Sequence, residues 1–106
     1  MGEDRGTLSY NATLVLASVE RGSRYGLEII DRTGLSPGTV YPALRRLEAG
    51  RLVEGDWEDE AVARAEGRPA RRNYRITDPG RAALAEAMER VRAQQVAMGW
   101  LPEGSA

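Results

Sequence analysis

Few residue types in this sequence can do chemistry. It contains no cysteine and no histidine, which excludes disulfide frameworks, Cys/His zinc sites, haem ligation and histidine-based nucleophile triads. Carboxylates and hydroxyls remain. Glu54, Asp56 and Glu58 alternate at two-residue spacing, which spreads three carboxylates along one exposed strand face instead of converging them on an ion. They read as solubility at a sheet edge. Ser36 and Thr39 have no histidine or lysine to activate them, and Ser36 is better explained as a helix cap. The expectation is therefore no catalytic residue, no metal, no cofactor and no enzyme.

The other chemistry available is that of arginine. All 15 basic residues are arginine, set against 16 acidic ones for a net charge of −1. Guanidinium groups suit bidentate contacts to phosphate and guanine, although a coding bias that replaces every lysine gives the same composition. Distribution says more than the sum. From Ser36 to Arg51, Arg45, Arg46 and Arg51 face only Glu48, and from Ala61 to Arg75 five arginines face only Glu66. Between these basic blocks lies an acidic one, with Glu54, Asp56, Glu58, Asp59 and Glu60.

The elements that must position these charges are legible from periodicity. Leu8, Ala12, Val15, Leu16 and Val19 recur at helical spacing and Gly22 follows as a stop, predicting a first helix. Tyr25 to Arg32 predicts a short second helix with Leu27, Ile29 and Ile30 buried, where Gly26 lets another helix approach closely. Gly34 ends it. A third helix begins with Ser36 as cap and Pro37 in the first turn, Leu35 stapling onto Val40, and Gly50 terminating it. The short gap containing Gly34 is the sequence form of a helix-turn-helix. Period two follows, with Val53 and Trp57 inward against Glu54, Asp56 and Glu58. After a turn-rich segment at Glu66-Gly67-Arg68-Pro69, Tyr74 and Ile76 share one face of a second strand, so a hairpin with cross-strand charge pairs is expected. Thr77-Asp78-Pro79-Gly80 caps a last helix reaching about Met98.

Helix, helix-turn-helix, hairpin, helix is the order of an α+β winged helix-turn-helix, whose third helix enters the major groove of double-stranded DNA. With Val40, Leu44 and Leu47 inward, Gly38, Pro42 and Arg45 lie at the centre of the opposite face, with Thr39, Tyr41 and Arg46 at its edges. Pro42 removes the hydrogen bond to the Gly38 carbonyl, and the small Gly38 surface admits close approach to DNA. The same features also fit a kinked structural helix with a solvated arginine pair. Arg64, Arg68, Arg71 and Arg72 around the hairpin tip are candidate phosphate contacts, or simply a solvated face. Leu84, Val91 and Met98 fall seven residues apart with Met88 and Gln95 beside them, the spacing of a helix packed along a partner helix. A homodimer using these residues together with Leu8, Ala12 and Val15 is expected. Trp57 reads as core. Trp100 packs across the dimer or walls an apolar ligand cavity.

Tyr25-Gly26-Leu27-Glu28-Ile29-Ile30, Gly34-Leu35-Ser36-Pro37-Gly38-Thr39-Val40-Tyr41-Pro42-Ala43-Leu44, Arg46-Leu47-Glu48, Gly50, and Arg72-Asn73-Tyr74-Arg75-Ile76-Thr77 with Gly80 together resemble the PadR family of bacterial transcriptional regulators. The resemblance covers almost the whole chain, and Gly-Thr-Val-Tyr-Pro is its most specific part. It implies a dimeric winged-helix repressor released by a small hydrophobic or aromatic ligand, in the short subfamily with a single C-terminal dimerisation helix.

At 106 residues the chain is one domain. Residues 1–78 are expected to form the DNA-binding unit, 79–101 the C-terminal dimerisation helix of the same compact body, and 102–106 a tail. No apolar run approaches a membrane span, and Met1-Gly2-Glu3-Asp4-Arg5 begins neither a signal nor a transit peptide, so a cytoplasmic protein with no membrane partner is expected. Two other readings remain at this stage: a winged-helix module that binds protein through the acidic strand, and a small ligand-binding dimer without operator function.

Overall fold

The computed structural model of the chain describes residues 7–104. Residues 1–6, among them the Met1 to Arg5 start, and residues 105–106 lie outside the described residues. Helix α1 (Tyr10–Glu20) starts at Ser9, whose Oγ accepts from the Ala12 N–H at 3.1 Å, and it buries Ala12, Val15, Leu16 and Val19. Helix α2 (Gly26–Thr33) ends at Gly34 in the left-handed conformation, and α3 (Pro37–Ala49) follows after Ser36. The short α2–α3 turn and the mutual packing of α1, α2 and α3 make the expected helix-turn-helix. Val15, Leu16, Ile29, Val40, Leu44 and Val53 are its fully enclosed side chains, each stabilising the fold by about 1.5–3 kcal/mol relative to exposure.

Leu27 is not buried; it is 60% exposed. At 100° per residue it lies about 160° around the helix from Ile29, and the inward face is taken by Ile29 and Gly26. A Cβ at Gly26 would overlap the Tyr41 ring, so glycine here is what lets α3 lie against α2.

Strands β1 (Val53–Trp57) and β2 (Arg72–Ile76) pair antiparallel, with Val53 opposite Ile76, Gly55 opposite Tyr74 and Trp57 opposite Arg72. Arg75 bridges Glu54 at 2.8 Å and Asp56 at 2.7 Å, the expected cross-strand charge pairing. The connection, however, is not a simple hairpin turn. It contains a further helix, α4 (Glu60–Ala65), capped by Asp59, whose carboxylate accepts from the Ala61 N–H at 2.8 Å. Trp57 also departs from expectation, being 68% exposed. Val53, Gly55 and Trp57 do share one face, but the core reaches only the Val53 end, and the strand carries Trp57 beyond it. On the other side of β2, the Tyr74 N–H donates to the Arg24 carbonyl at 2.7 Å.

Helix α5 (Asp78–Ala97) is capped by Thr77, whose Oγ1 accepts from the Gly80 N–H at 3.0 Å. It packs on α1, burying Gly80, Leu84 and Ala87, all in its first half. Its second half is only partly covered, with Val91, Gln95 and Val96 half-buried and Met88 exposed. The radius of gyration is 15.7 Å and the longest dimension 52 Å, against about 13 Å expected for a compact chain of this size. Val15 and Ala12, expected at a dimer contact, are enclosed within the chain, and Val15 and Leu84 belong to the same core cluster. Periodicity identifies an apolar stripe; it does not say which chain covers it. The architecture is α+β and winged helix-turn-helix, with five helices and a two-stranded sheet among the described residues.

Candidate nucleic-acid interface

The inward residues of α3, Val40, Ala43, Leu44 and Leu47, are buried, which fixes the rotation of the helix. Ser36, Gly38, Tyr41, Arg45 and Arg46 are exposed, and Thr39 and Pro42 half-buried. The helix runs without interruption from Pro37 to Ala49. Since Pro42 has no N–H, the Gly38 carbonyl lacks its helical donor. Space beyond Gly38 is open, the nearest atom to a Cβ there being Ser36 Oγ at 3.9 Å. Ser36 holds the cap position, but its Oγ donates to Thr39 Oγ1 at 3.2 Å and makes no capping bond to the main chain. The Ser36 carbonyl takes the Thr39 and Val40 N–H groups at 3.0 and 2.9 Å. Arg45 and Arg46 carry no ion pair among the described residues.

The wing arginines fall into two kinds. Arg68 is engaged by Glu58 at 2.6 and 2.8 Å and by Glu66 at 3.1 Å, and its side chain is only 19% exposed. Arg72 crosses Gly55, where a Cβ would lie 2.9 Å from its Nε, and pairs with Glu48 at the end of α3. Both guanidiniums are therefore already engaged by carboxylates within the chain. Arg71 differs. Its guanidinium lies over the Tyr25 ring at 4.0 Å and has no carboxylate partner among the described residues. Arg64 sits at 3.8 Å from Glu60 on the exposed surface of α4.

Glu58 organises the wing connection. The hydrogen bonds from Arg68, reinforced by the Arg71 N–H at 3.1 Å, hold its carboxyl at about 2, well below the usual 4.5, and raise the Arg68 pKa in turn. Arg68 and Arg75 thus pair with all three carboxylates of the acidic strand, which lowers its net charge, while Glu54 and Asp56 stay exposed. No group of carboxylates among the described residues is arranged to hold a metal ion. No helix among them is long and apolar enough to cross a membrane.

One grouping escaped the sequence reading. Tyr25, Tyr41, Trp57 and Tyr74, from four separate elements or their flanks, line a cavity of about 420 Å³ between α2, α3 and the wing. Burial pushes the Tyr74 hydroxyl pKa up. Trp100, the residue expected at a ligand wall, is 72% exposed beyond α5 and does not line this cavity. Nothing in local spacing brings those four aromatics together; only a close helix approach at Gly26 was legible, not that Tyr41 makes it.

Comparison with known proteins agrees with this geometry. Residues 15–86 match the transcriptional regulator PadR-like family. Over 64 residues the chain is 48% identical to transcriptional regulator Rv3488 of Mycobacterium tuberculosis, a match covering 60% of this chain and about half, 49%, of that relative. The crystal structure of a PadR family transcription regulator from Clostridium difficile superposes with a TM-score of 0.73 at 25% identity, covering 86% of this chain and 96% of the other. BpsR of Bordetella bronchiseptica, whose DNA binding is regulated by 6-hydroxynicotinic acid, shares the fold with a TM-score of 0.70 at 19% identity, over 96% of this chain and 67% of the other. PadR family regulators are non-enzymatic. By the match across most of its length, this chain belongs to the PadR-like family of transcriptional regulators.

Proposed function

We propose that the chain is a cytoplasmic, ligand-responsive repressor that binds a palindromic operator as a homodimer, with α3 in the major groove. The observation that carries this reading is the outward face of α3, where Arg45 and Arg46 are exposed and unpaired on a helix whose rotation is locked by Val40, Leu44 and Leu47. Arg45 reads a guanine edge or a phosphate from the centre of that face, with Gly38 and Pro42 permitting close approach. Arg71 supplies a backbone contact from the wing. Residues 79–101 form the dimerisation unit through Met88, Val91, Gln95 and Met98, setting two α3 helices one DNA turn apart, about 34–36 Å. The effector is a small hydrophobic or aromatic molecule, and BpsR, of like fold, supports that class by its own regulator.

The test is binding to the DNA upstream of the chain's own coding sequence across a salt series. Operator recognition gives a steep linear fall of log K with log salt, with a slope of about −0.9 for each phosphate neutralised. Binding that is absent, or equally strong on unrelated duplexes, overturns the reading.

A further inference from the structure

The wing cavity concentrates aromatic residues beyond what the fold requires. The chain has six aromatic side chains, four Tyr and two Trp, and four of them wall this one space. Two of the four, Tyr41 and Trp57, are exposed, as is Leu27 at its rim, so the protein core does not account for them. Duplex DNA accounts for the Tyr41 hydroxyl through a phosphate contact, but paired bases present only their edges in the grooves and give the Trp57 ring no face to stack on. The lining is mainly apolar with a few guanidiniums, the composition of a small-molecule site, and its size falls in the range of such sites.

The guanidiniums decide the chemistry of the occupant. Arg68 and Arg72 are neutralised by Glu58 and Glu48. Arg71 makes no salt bridge to a described carboxylate and feels Glu58 only at longer range, so its guanidinium keeps its donors free while it stacks on Tyr25 at the cavity wall. Arg72 lies over Trp57 at 5.4 Å and Tyr74 at 6.0 Å, which fixes the orientation of the opposite wall. An occupant matching both features has a planar aromatic body, to lie among the rings, and one anionic group at its edge, to accept from Arg71.

We propose that this cavity binds a planar aromatic monoanion, with Arg71 holding its carboxylate and Trp57 and Tyr41 flanking its ring. The site is built from the wing and the two helices of the helix-turn-helix, so it is complete within one chain and separate from Trp100. Its regulatory consequence rests on the DNA-binding reading above. An anion held by Arg71 removes that guanidinium from the DNA backbone, so ligand and operator compete.

The experiment uses the full chain with Trp100→Phe, leaving Trp57 as the sole tryptophan. Titration with 2-naphthoate should quench Trp57 emission saturably, and equilibrium dialysis should give the same affinity. Neutral 2-naphthamide should bind at least tenfold more weakly, and Arg71→Gln should weaken 2-naphthoate by a similar factor and 2-naphthamide far less, with the far-ultraviolet circular dichroism that of the parent. Unsaturable quenching, equal affinity for acid and amide, or undiminished binding to Arg71→Gln overturns the site. With operator DNA present, 2-naphthoate should displace the duplex. If the operator binds and is not displaced, competition through Arg71 is refuted while the site stands; if no operator binds, the DNA reading fails and the naphthoate titration still decides the site.

Discussion

The far half of α5 makes the sharpest demand on the molecule's surroundings. Met88 and Met98, in and just after the half of α5 that follows its last buried residue, Ala87, are 56% and 62% exposed. Full burial of a methionine contributes about 1.5–3 kcal/mol, so covering what remains open contributes about 1–2 kcal/mol for each. A two-fold axis counts every contact twice, giving about 4–8 kcal/mol from the two methionines of both protomers. That is comparable to the cost of association, about 4–15 kcal/mol, so in the proposed dimer the methionines supply a decisive share, with Val91 and Trp100 adding to them. Replacing both, Met88→Glu with Met98→Glu, deletes this gain and sets four carboxylates at the contact. The dissociation constant should rise at least ~10³-fold, equivalent to about 4 kcal/mol. Sedimentation equilibrium reads the change, and far-ultraviolet circular dichroism should stay that of the parent because Leu84 and Ala87, which fasten α5 to α1, are untouched. A parent chain that is monomeric at tens of micromolar, or a double variant with parental affinity, would refute the reasoning.

Arg45→Ala should weaken operator binding by roughly 1–3 kcal/mol if it reads a base, with no change in thermal midpoint; equal binding at matched salt would show that α3 is faced wrongly. In salt titrations of operator binding, Arg71→Gln should lower the slope of log K against log salt by about 0.9, whereas Arg68→Gln should leave the slope alone and loosen the wing. The Glu58 carboxyl, held at about 2 against an ordinary 4.5 by Arg68 first and the Arg71 N–H second, stabilises the folded wing fully above pH 4.5. That contribution is lost as pH falls through about 2. Glu58→Gln should flatten the acid side of the wing's unfolding, followed by Trp57 emission, leaving the smaller dependence due to Glu28, whose pKa is also lowered; an unaltered profile would place the acid sensitivity elsewhere.

The helical frame was legible because its signals are local. Ser36 with Pro37, Gly34, and Thr77 with Pro79 mark boundaries within a few residues of where α2, α3 and α5 begin and end. Helix α4 carried an equally local signal, Asp59 ahead of Glu60-Ala61-Val62-Ala63, which the turn residues after it obscured. Charge pairing was not legible beyond the sheet register. Glu48 and Arg72 are 24 residues apart and meet only because α3 packs on β1 and the Arg72 side chain crosses Gly55 to reach it, and that meeting is what half-buries Arg72. Trp57 was misplaced for a related reason: alternation assigns a face, and only the extent of the helices behind the sheet decides how far along that face the core reaches.

The bond from the Tyr74 amide to the Arg24 carbonyl gives the wing its place in the order of folding. It closes a loop of about fifty residues, an entropic cost that must be met before the contact returns anything. The three first helices make their contacts over much shorter separations, so they can condense first and present the Arg24 carbonyl as a ready acceptor. In the native protein the same topology runs in reverse. The part of the wing beyond Val53 and Ile76 can open with α4 while α1, α2 and α3 stay closed, and amide exchange at Tyr74 then measures that partial opening, separately from global unfolding.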